Sequence, residues 1–159
     1  MKTEKTYISK KRYFELVEEF VKTVSEFYKD SELNSLCIVA VARGGLIPGQ
    51  LLSYYLSLRV PKVLVPVFVY QPYFGVPSLG EISKHMKKDH RSEVIIVDEI
   101  CDTGKALLDL YNTFGGGVFV RTAALIRKVN LEQVYSPDIW IESVPNEWVE
   151  FFYDREEWR

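Results

Sequence analysis

At 159 residues, 47% of them apolar and 14% aromatic, the chain suits one domain, 1–159, with a sizeable core. Its formal net charge of -2 excludes a broad basic face for nucleic acid. No segment approaches the ~20 apolar residues of a membrane span, and residues 1–6 lack the apolar core of a signal peptide. These features predict a soluble, cytoplasmic protein.

In chain order, Ser9 is positioned to cap a helix. Its apolar residues Tyr13, Phe14, Val17, Phe20, Val21, Val24 and Phe27 recur at three- and four-residue spacing, with Glu15, Glu18, Glu19, Lys22 and Glu26 opposite. The run Leu36-Cys-Ile-Val-Ala-Val-Ala42 is apolar on both faces, as befits a parallel strand covered by helices on both sides. Gly44-Gly45 breaks it, and 47–58 has helical spacing. Residues 63–69 predict a second strand. The stretch 70–91, with turn residues and the basic Lys84-His-Met-Lys-Lys88, predicts a long mobile segment with one helical turn. Strands over 94–98, 119–126 and 139–141 and a helix over 105–114 complete an alternation that predicts an α/β fold with right-handed crossovers. Cys37 and Cys101 lack metal-ligand spacing and read as reduced, buried thiols.

The richest chemistry lies in Val94-Ile-Ile-Val-Asp-Glu-Ile-Cys-Asp-Thr-Gly-Lys-Ala106. In an open α/β sheet, ligands bind beyond the carboxyl ends of strands. Asp102-Thr-Gly-Lys-Ala106 reads as a turn opening into a helix, where free backbone N–H groups and the helix dipole favour phosphate. Gly104 allows close backbone approach, and the Thr103 hydroxyl can donate a further bond. The preceding Asp98-Glu99 suits vicinal ribose hydroxyls or Mg²⁺, a cation that prefers oxygen ligands. A lone Asp-Thr-Gly would be a helix start and nothing more; the full string of apolar strand, acid pair and phosphate turn is far rarer.

That string resembles the phosphoribosyl pyrophosphate motif of the type I phosphoribosyltransferases. The resemblance implies their fold, a mainly parallel central sheet flanked by helices with a small C-terminal hood formed by about 128–159 and the N-terminal segment. It also implies attack of a base nitrogen on the ribose C1 carbon, displacing pyrophosphate with the help of Mg²⁺. Asp98, Glu99, Asp102, Thr103, Gly104, Lys105 and Ala106 would hold ribose and 5-phosphate, with Asp102 as candidate general base near the purine N7. The chain departs from the pattern at Glu99, where Asp is usual, and at Ala106, where Thr or Ser is common. The lost hydroxyl bond costs ~1 kcal/mol or somewhat more, because its acceptor is charged.

Ala42-Arg-Gly-Gly-Leu-Ile-Pro48 can expose successive N–H groups as a second anion nest, with Arg43 as a planar donor to phosphate oxygens. Taken alone it marks only a strand-to-helix turn. It is similar to the pyrophosphate loop of the 6-oxopurine branch, above all the bacterial xanthine-guanine enzymes. That likeness assigns Arg43, Gly44 and Gly45 to pyrophosphate and implies a cis peptide before Arg43. Val120-Arg-Thr-Ala-Ala-Leu-Ile-Arg-Lys128 resembles the strand whose terminal Lys meets the purine 6-oxygen; without the family, Lys128 would read as a solvated strand end. Val144-Pro-Asn-Glu-Trp-Val-Glu-Phe-Phe-Tyr-Asp154 resembles the hood. Trp148 would stack on the base, the Val149 backbone would read the 2-position edge, and Asp154 would assist Glu99 and Asp98 at the metal. Trp148 could alternatively anchor the chain end in the core. Residues 70–91 resemble, by position only, the loop that closes over the site; Lys84, Lys87 and Lys88 could contact pyrophosphate on closure but read first as a solvated basic face, and His85 and His90 receive no role.

These likenesses imply a Mg²⁺-dependent transfer from phosphoribosyl pyrophosphate to a 6-oxopurine (xanthine, guanine or hypoxanthine) in purine salvage, by a homodimer or homotetramer. The other readings are a non-catalytic sensor of phosphoribosyl pyrophosphate or nucleotide on the same fold, and a transferase for another base.

Overall fold

Continuous apolar runs, each too short for a long helix, form the centre of the molecule. In the computed structural model, which describes residues 4–71, 79–114, 116–129 and 132–154, they make a five-stranded sheet. The elements are β1 (Lys5–Ile8), α1 (Lys10–Ser25), β2 (Leu36–Val41), α2 (Leu46–Arg59), β3 (Val67–Tyr70), α3 (Leu79–Lys88), β4 (Glu93–Cys101), α4 (Lys105–Thr113), β5 (Phe119–Val129), β6 (Ile139–Pro145) and β7 (Trp148–Phe151). The central order is β3-β2-β4-β5-β6, with every pairing parallel. The fold is the expected α/β one.

Alternation along each strand divides the core in two. Leu36, Ile38, Ile95, Val97, Ala123 and Leu125 pack on one face with Val17 and Phe20 of α1 and Leu52 and Leu56 of α2. Cys37, Val39, Val41, Val94 and Ile96 pack on the other with Ile82 and Met86 of α3 and Leu107 and Leu110 of α4. Strands sandwiched this way need apolar residues at every position, which explains why their sequences do not alternate. Ser9 caps α1, its side chain accepting from the Arg12 N–H.

Several elements differ from expectation. β3 starts at Val67 instead of 63. The Val65 N–H bonds to the Ser57 hydroxyl and the Val65 carbonyl accepts from Ser53, so α2 takes the groups a strand would use. The stretch 70–91 contains a ten-residue helix, α3, instead of one turn; residues 72–78 lie outside the described part. Leu79, Ile82 and Met86 form its apolar face, a spacing the basic residues around them obscure. β4 runs three residues past 98, because Asp98, Ile100 and Cys101 pair with Ala124, Ile126 and Arg127 of β5. Longer β5 and β6 carry Lys128 and Val144 inside strands. A separate two-stranded parallel sheet, β1 with β7, ties the N-terminal segment to 148–151.

Candidate functional site

The crossover after β2 leads outward to β3, and the crossover after β4 leads the opposite way to β5. The sheet order therefore reverses between β2 and β4, the position where open α/β sheets bind ligands. The β2–β4 ladder ends with Ala40 opposite Val97. β2 then turns away while β4 continues, leaving Asp98 and Glu99 beside a crevice flanked by the turns 42–45 and 102–104.

The peptide between Ala42 and Arg43 is cis, as the loop's likeness implied. This first turn bonds to itself and its neighbours: the Ala42 N–H donates to the Tyr70 carbonyl, Gly45 to Val41 and Leu46 to Arg43. Its glycines are needed for space. A Cβ on Gly45 would lie 2.3 Å from the Val97 carbonyl oxygen, and one on Gly44 would lie 2.6 Å from the Glu99 Cβ.

The second turn differs. Gly104 takes φ +82, a left-handed conformation that favours glycine, and caps α4 with no side-chain bond. The first helical bond runs from the Leu108 N–H to the Gly104 carbonyl, so the amides of 105–107 lack acceptors within the helix. Only a long 3.4 Å bond joins the Lys105 N–H to the Thr103 hydroxyl. The turn is fixed from behind, where the N–H groups of Val134 and Tyr135 donate to the Thr103 carbonyl at 2.8 and 3.3 Å. Arg127 grips Gln133, whose amide reaches the Cys101 sulfur, and that thiol faces the Tyr135 carbonyl. Burial pushes the Cys101 thiol up to about 11 and Cys37 up to about 12, so both stay protonated.

The acid pair is asymmetric. Asp98 is half-buried and accepts from the Glu99 N–H at 2.7 Å. Burial pushes it up to about 6, against backbone N–H groups of Glu99 and Ile100 that pull it down. Glu99 is only 8% exposed. Its carboxylate accepts from the Tyr153 hydroxyl. Burial, with Asp98 and Asp154 as negative neighbours, pushes it up to about 7, while the Tyr153 bond opposes that rise. Tyr13 and Tyr153 are both raised, first by burial and then by the Glu99 charge. Asp154 itself accepts from the Phe151 N–H at 3.1 Å.

Cys101 lies opposite Arg127 in the β4–β5 ladder, which brings the next residues, Asp102 and Lys128, together. Lys128 Nζ lies 3.3 Å from Asp102 Oδ2, with the Lys side chain 11% exposed and the Asp 52%. A nearly buried ammonium beside the turn at 102–104 is not the solvated strand end that residue type alone suggests. Val144 and Pro145 pair with Lys128 and Val129, and a short turn leads directly to Trp148. Trp148 is 57% exposed, whereas Val149 is buried. The ring is therefore no core anchor.

Sequence reasoning missed the Tyr13 and Tyr153 shell on Glu99 and the 133–135 brace behind Thr103. Both join residues far apart in the chain, and no local pattern marks them. Lys84, His85 and Lys88 line a shallow polar depression on α3 with Glu81. Among the described residues no three His, Cys, Asp or Glu side chains cluster to hold a metal, and no helix is long and apolar enough to cross a membrane.

The chain belongs to the phosphoribosyl transferase domain family, whose model matches residues 5–154. Its fold is shared with solved relatives. The purine phosphoribosyltransferase of Pyrococcus horikoshii Ot3 is 22% identical, with 95% of this chain and 94% of that one covered and a TM-score of 0.67. The xanthine-guanine-hypoxanthine phosphoribosyltransferase of Helicobacter pylori is also 22% identical, over 98% and 95%, with a TM-score of 0.70. A hypothetical protein from Neisseria gonorrhoeae with bound ppGpp is 15% identical over 99% and 93%, with a TM-score of 0.71.

Proposed function

We propose that the protein transfers the 5-phosphoribosyl group from phosphoribosyl pyrophosphate to a 6-oxopurine, giving a nucleoside 5′-monophosphate and pyrophosphate. The observation that carries this reading is Lys128, a nearly buried ammonium held against Asp102 beside the phosphate turn. An ammonium there donates to a 6-oxygen and repels the donor face of a 6-amino group. Asp102, already paired with it, is the carboxylate suited to the purine N7 proton. Exposed Trp148 supplies a face for the ring, and the Val149 backbone lies next to it.

The amides of 105–107 and the Thr103 hydroxyl bind the 5-phosphate, and Arg43 reaches the pyrophosphate oxygens. Asp98, the half-buried member of the acid pair, accepts from ribose hydroxyls. Asp98 would be the protein partner of a Mg²⁺ carried in with the substrate's phosphate oxygens and water, the oxygen ligands that cation prefers. Such an ion would neutralise charge on the departing pyrophosphate. Asp154, bonded to its own turn, adds negative potential.

A second reading is a nucleotide sensor on the same fold. Two observations favour it: Glu99 is drawn into the interior, and Ala106 lacks a hydroxyl for the phosphate. Pyrophosphate release measured with xanthine, guanine, hypoxanthine, adenine, uracil and orotate separates the two. Turnover with 6-oxopurines and none with adenine is expected. Tight nucleotide binding with no turnover on any base would replace the enzyme by the sensor, and turnover on adenine alone would remove Lys128 from its role.

A further inference from the structure

Glu99 lies where several elements of the candidate site converge. On one side its Cβ is pressed against Gly44 of the first turn, where an added Cβ would meet it at 2.6 Å and its Oε1 at 2.9 Å. On the other its carboxylate accepts from the Tyr153 hydroxyl. Tyr153 cannot swing freely. Its ring stacks on Phe151, with centroids 5.4 Å apart and planes at 5°, while Tyr13 and Phe152 meet it edge-on at 5.8 and 5.1 Å. The turn carrying it is closed at both ends: the Asp154 N–H donates to the Phe151 carbonyl, and the Phe151 N–H donates to the Asp154 carboxylate. Phe151 ends β7, the strand that begins with Trp148 and pairs with β1.

We propose that Glu99 is a positioning residue that, through Tyr153, fixes the β1–β7 sheet and its Trp148 face against the turns that bind the ribose and pyrophosphate groups. The proposal rests on the transferase reading above and adds a link between the base side and the phosphate side of that site. It also accounts for Glu at this position. With the Cβ held against Gly44, the additional methylene is what carries the carboxylate to Tyr153, and Asp would stop short. The bond needs an acceptor oxygen at that reach, which a Gln also supplies. A residue acting on ribose or metal directly would have the opposite requirements: charge would matter and Tyr153 would not.

Amide hydrogen exchange on the substrate-free protein tests the link without any need for turnover. Tyr153→Phe keeps the aromatic packing and removes only the donor, while Glu99→Asp shortens the reach. Each should speed exchange of 5–8 and 148–151 by about tenfold while leaving β2 and β4 protected, and Glu99→Gln should stay within about twofold of the parent. In the base-transfer assay, Tyr153→Phe should raise KM for the base by about tenfold, with kcat and the KM for phosphoribosyl pyrophosphate changed by less than about threefold. Unchanged exchange in Tyr153→Phe, or a Glu99→Gln sheet as loose as that of Glu99→Asp, overturns the proposal. So does a loosened sheet with an unaltered base KM. If no base is turned over at all, the transferase reading fails alone and the exchange result still decides whether Glu99 positions the sheet.

Discussion

The turns after β2 and β4 both carry glycine at a strand-to-helix junction, yet the backbone uses them in opposite ways. In the first, the amides of Gly45 and Leu46 are spent on Val41 and Arg43, with an ordinary φ of -73 at Gly45. Its glycines exist because Val97 and Glu99 leave no room for a side chain. The second is open toward the crevice: Gly104 needs its positive φ, and the amides that follow have no helical acceptors. Glycine content alone therefore does not identify a phosphate nest. What bears on it is where the N–H groups go, and in the transfer reading proposed above the second turn would cradle the phosphate while Arg43 would be the anion-binding group of the first.

Adding one methyl group probes this difference with the largest effect. Gly104→Ala combines a positive φ with a Cβ 2.0 Å from the Tyr135 carbonyl oxygen. Strain and overpacking together should cost about 3 kcal/mol or more. Gly45→Ala meets the Val97 carbonyl at 2.3 Å with no φ penalty and should lose about 2 kcal/mol. Gly117→Ala, at φ +101 with nothing within 4 Å, isolates the conformational cost at about 1 kcal/mol. Urea unfolding at constant m-value ranks the three. A Gly45 variant as stable as the parent would mean that the first turn can open, and the contrast with the second would fail.

The next effect concerns the first turn's neighbour. Glu99 is held up near 7 and Asp98 near 6, so the folded state binds their protons more tightly than the unfolded chain. Their contribution to stability is full below the unfolded carboxylate range near 4 and is lost as pH rises through 6 and 7. Glu99 should account for on the order of 3 kcal/mol of that fall. Urea midpoints from pH 5 to 8 should drop for the parent and flatten in Glu99→Gln. Since Gly44 packs on Glu99, the first turn should feel this titration and the turn at 102–104 should not. Parallel profiles for parent and variant would assign the dependence elsewhere.

How much of this was legible depends on sequence separation. The apolar runs of β2 and β4 announce buried parallel strands because every position must be apolar, and the string from Val94 to Ala106 marks its turn by local chemistry. The junction of Asp102 with Lys128 follows only once the β4–β5 register is known. Glu99 shows the limit most clearly. Its acidity suggested a ligand, but its partner Tyr153 stands 54 positions away, so only tertiary structure could reveal the carboxylate turned inward. Similarly, α3 was hidden because its basic residues resemble a loop, although Ile82 and Met86 lie buried against the sheet.

The smallest effect sharpens the open turn. Ala106 is exposed as the second residue of α4, where Ser would add a hydroxyl aimed at whatever occupies the helix N-terminus without filling any packed space. If the 5-phosphate lies there, Ala106→Ser should tighten ribose 5-phosphate binding by about fivefold, roughly 1 kcal/mol for a bond to a charged acceptor. Thr103→Val, which removes the hydroxyl already present, should weaken it by a similar factor. Calorimetric titration with ribose 5-phosphate reads both. The pairing guards against indirect effects: a folding defect in the Val variant would not produce a gain in the Ser variant. Unchanged affinity in both would move the phosphate off α4 and return the anion site to Arg43 and the first turn.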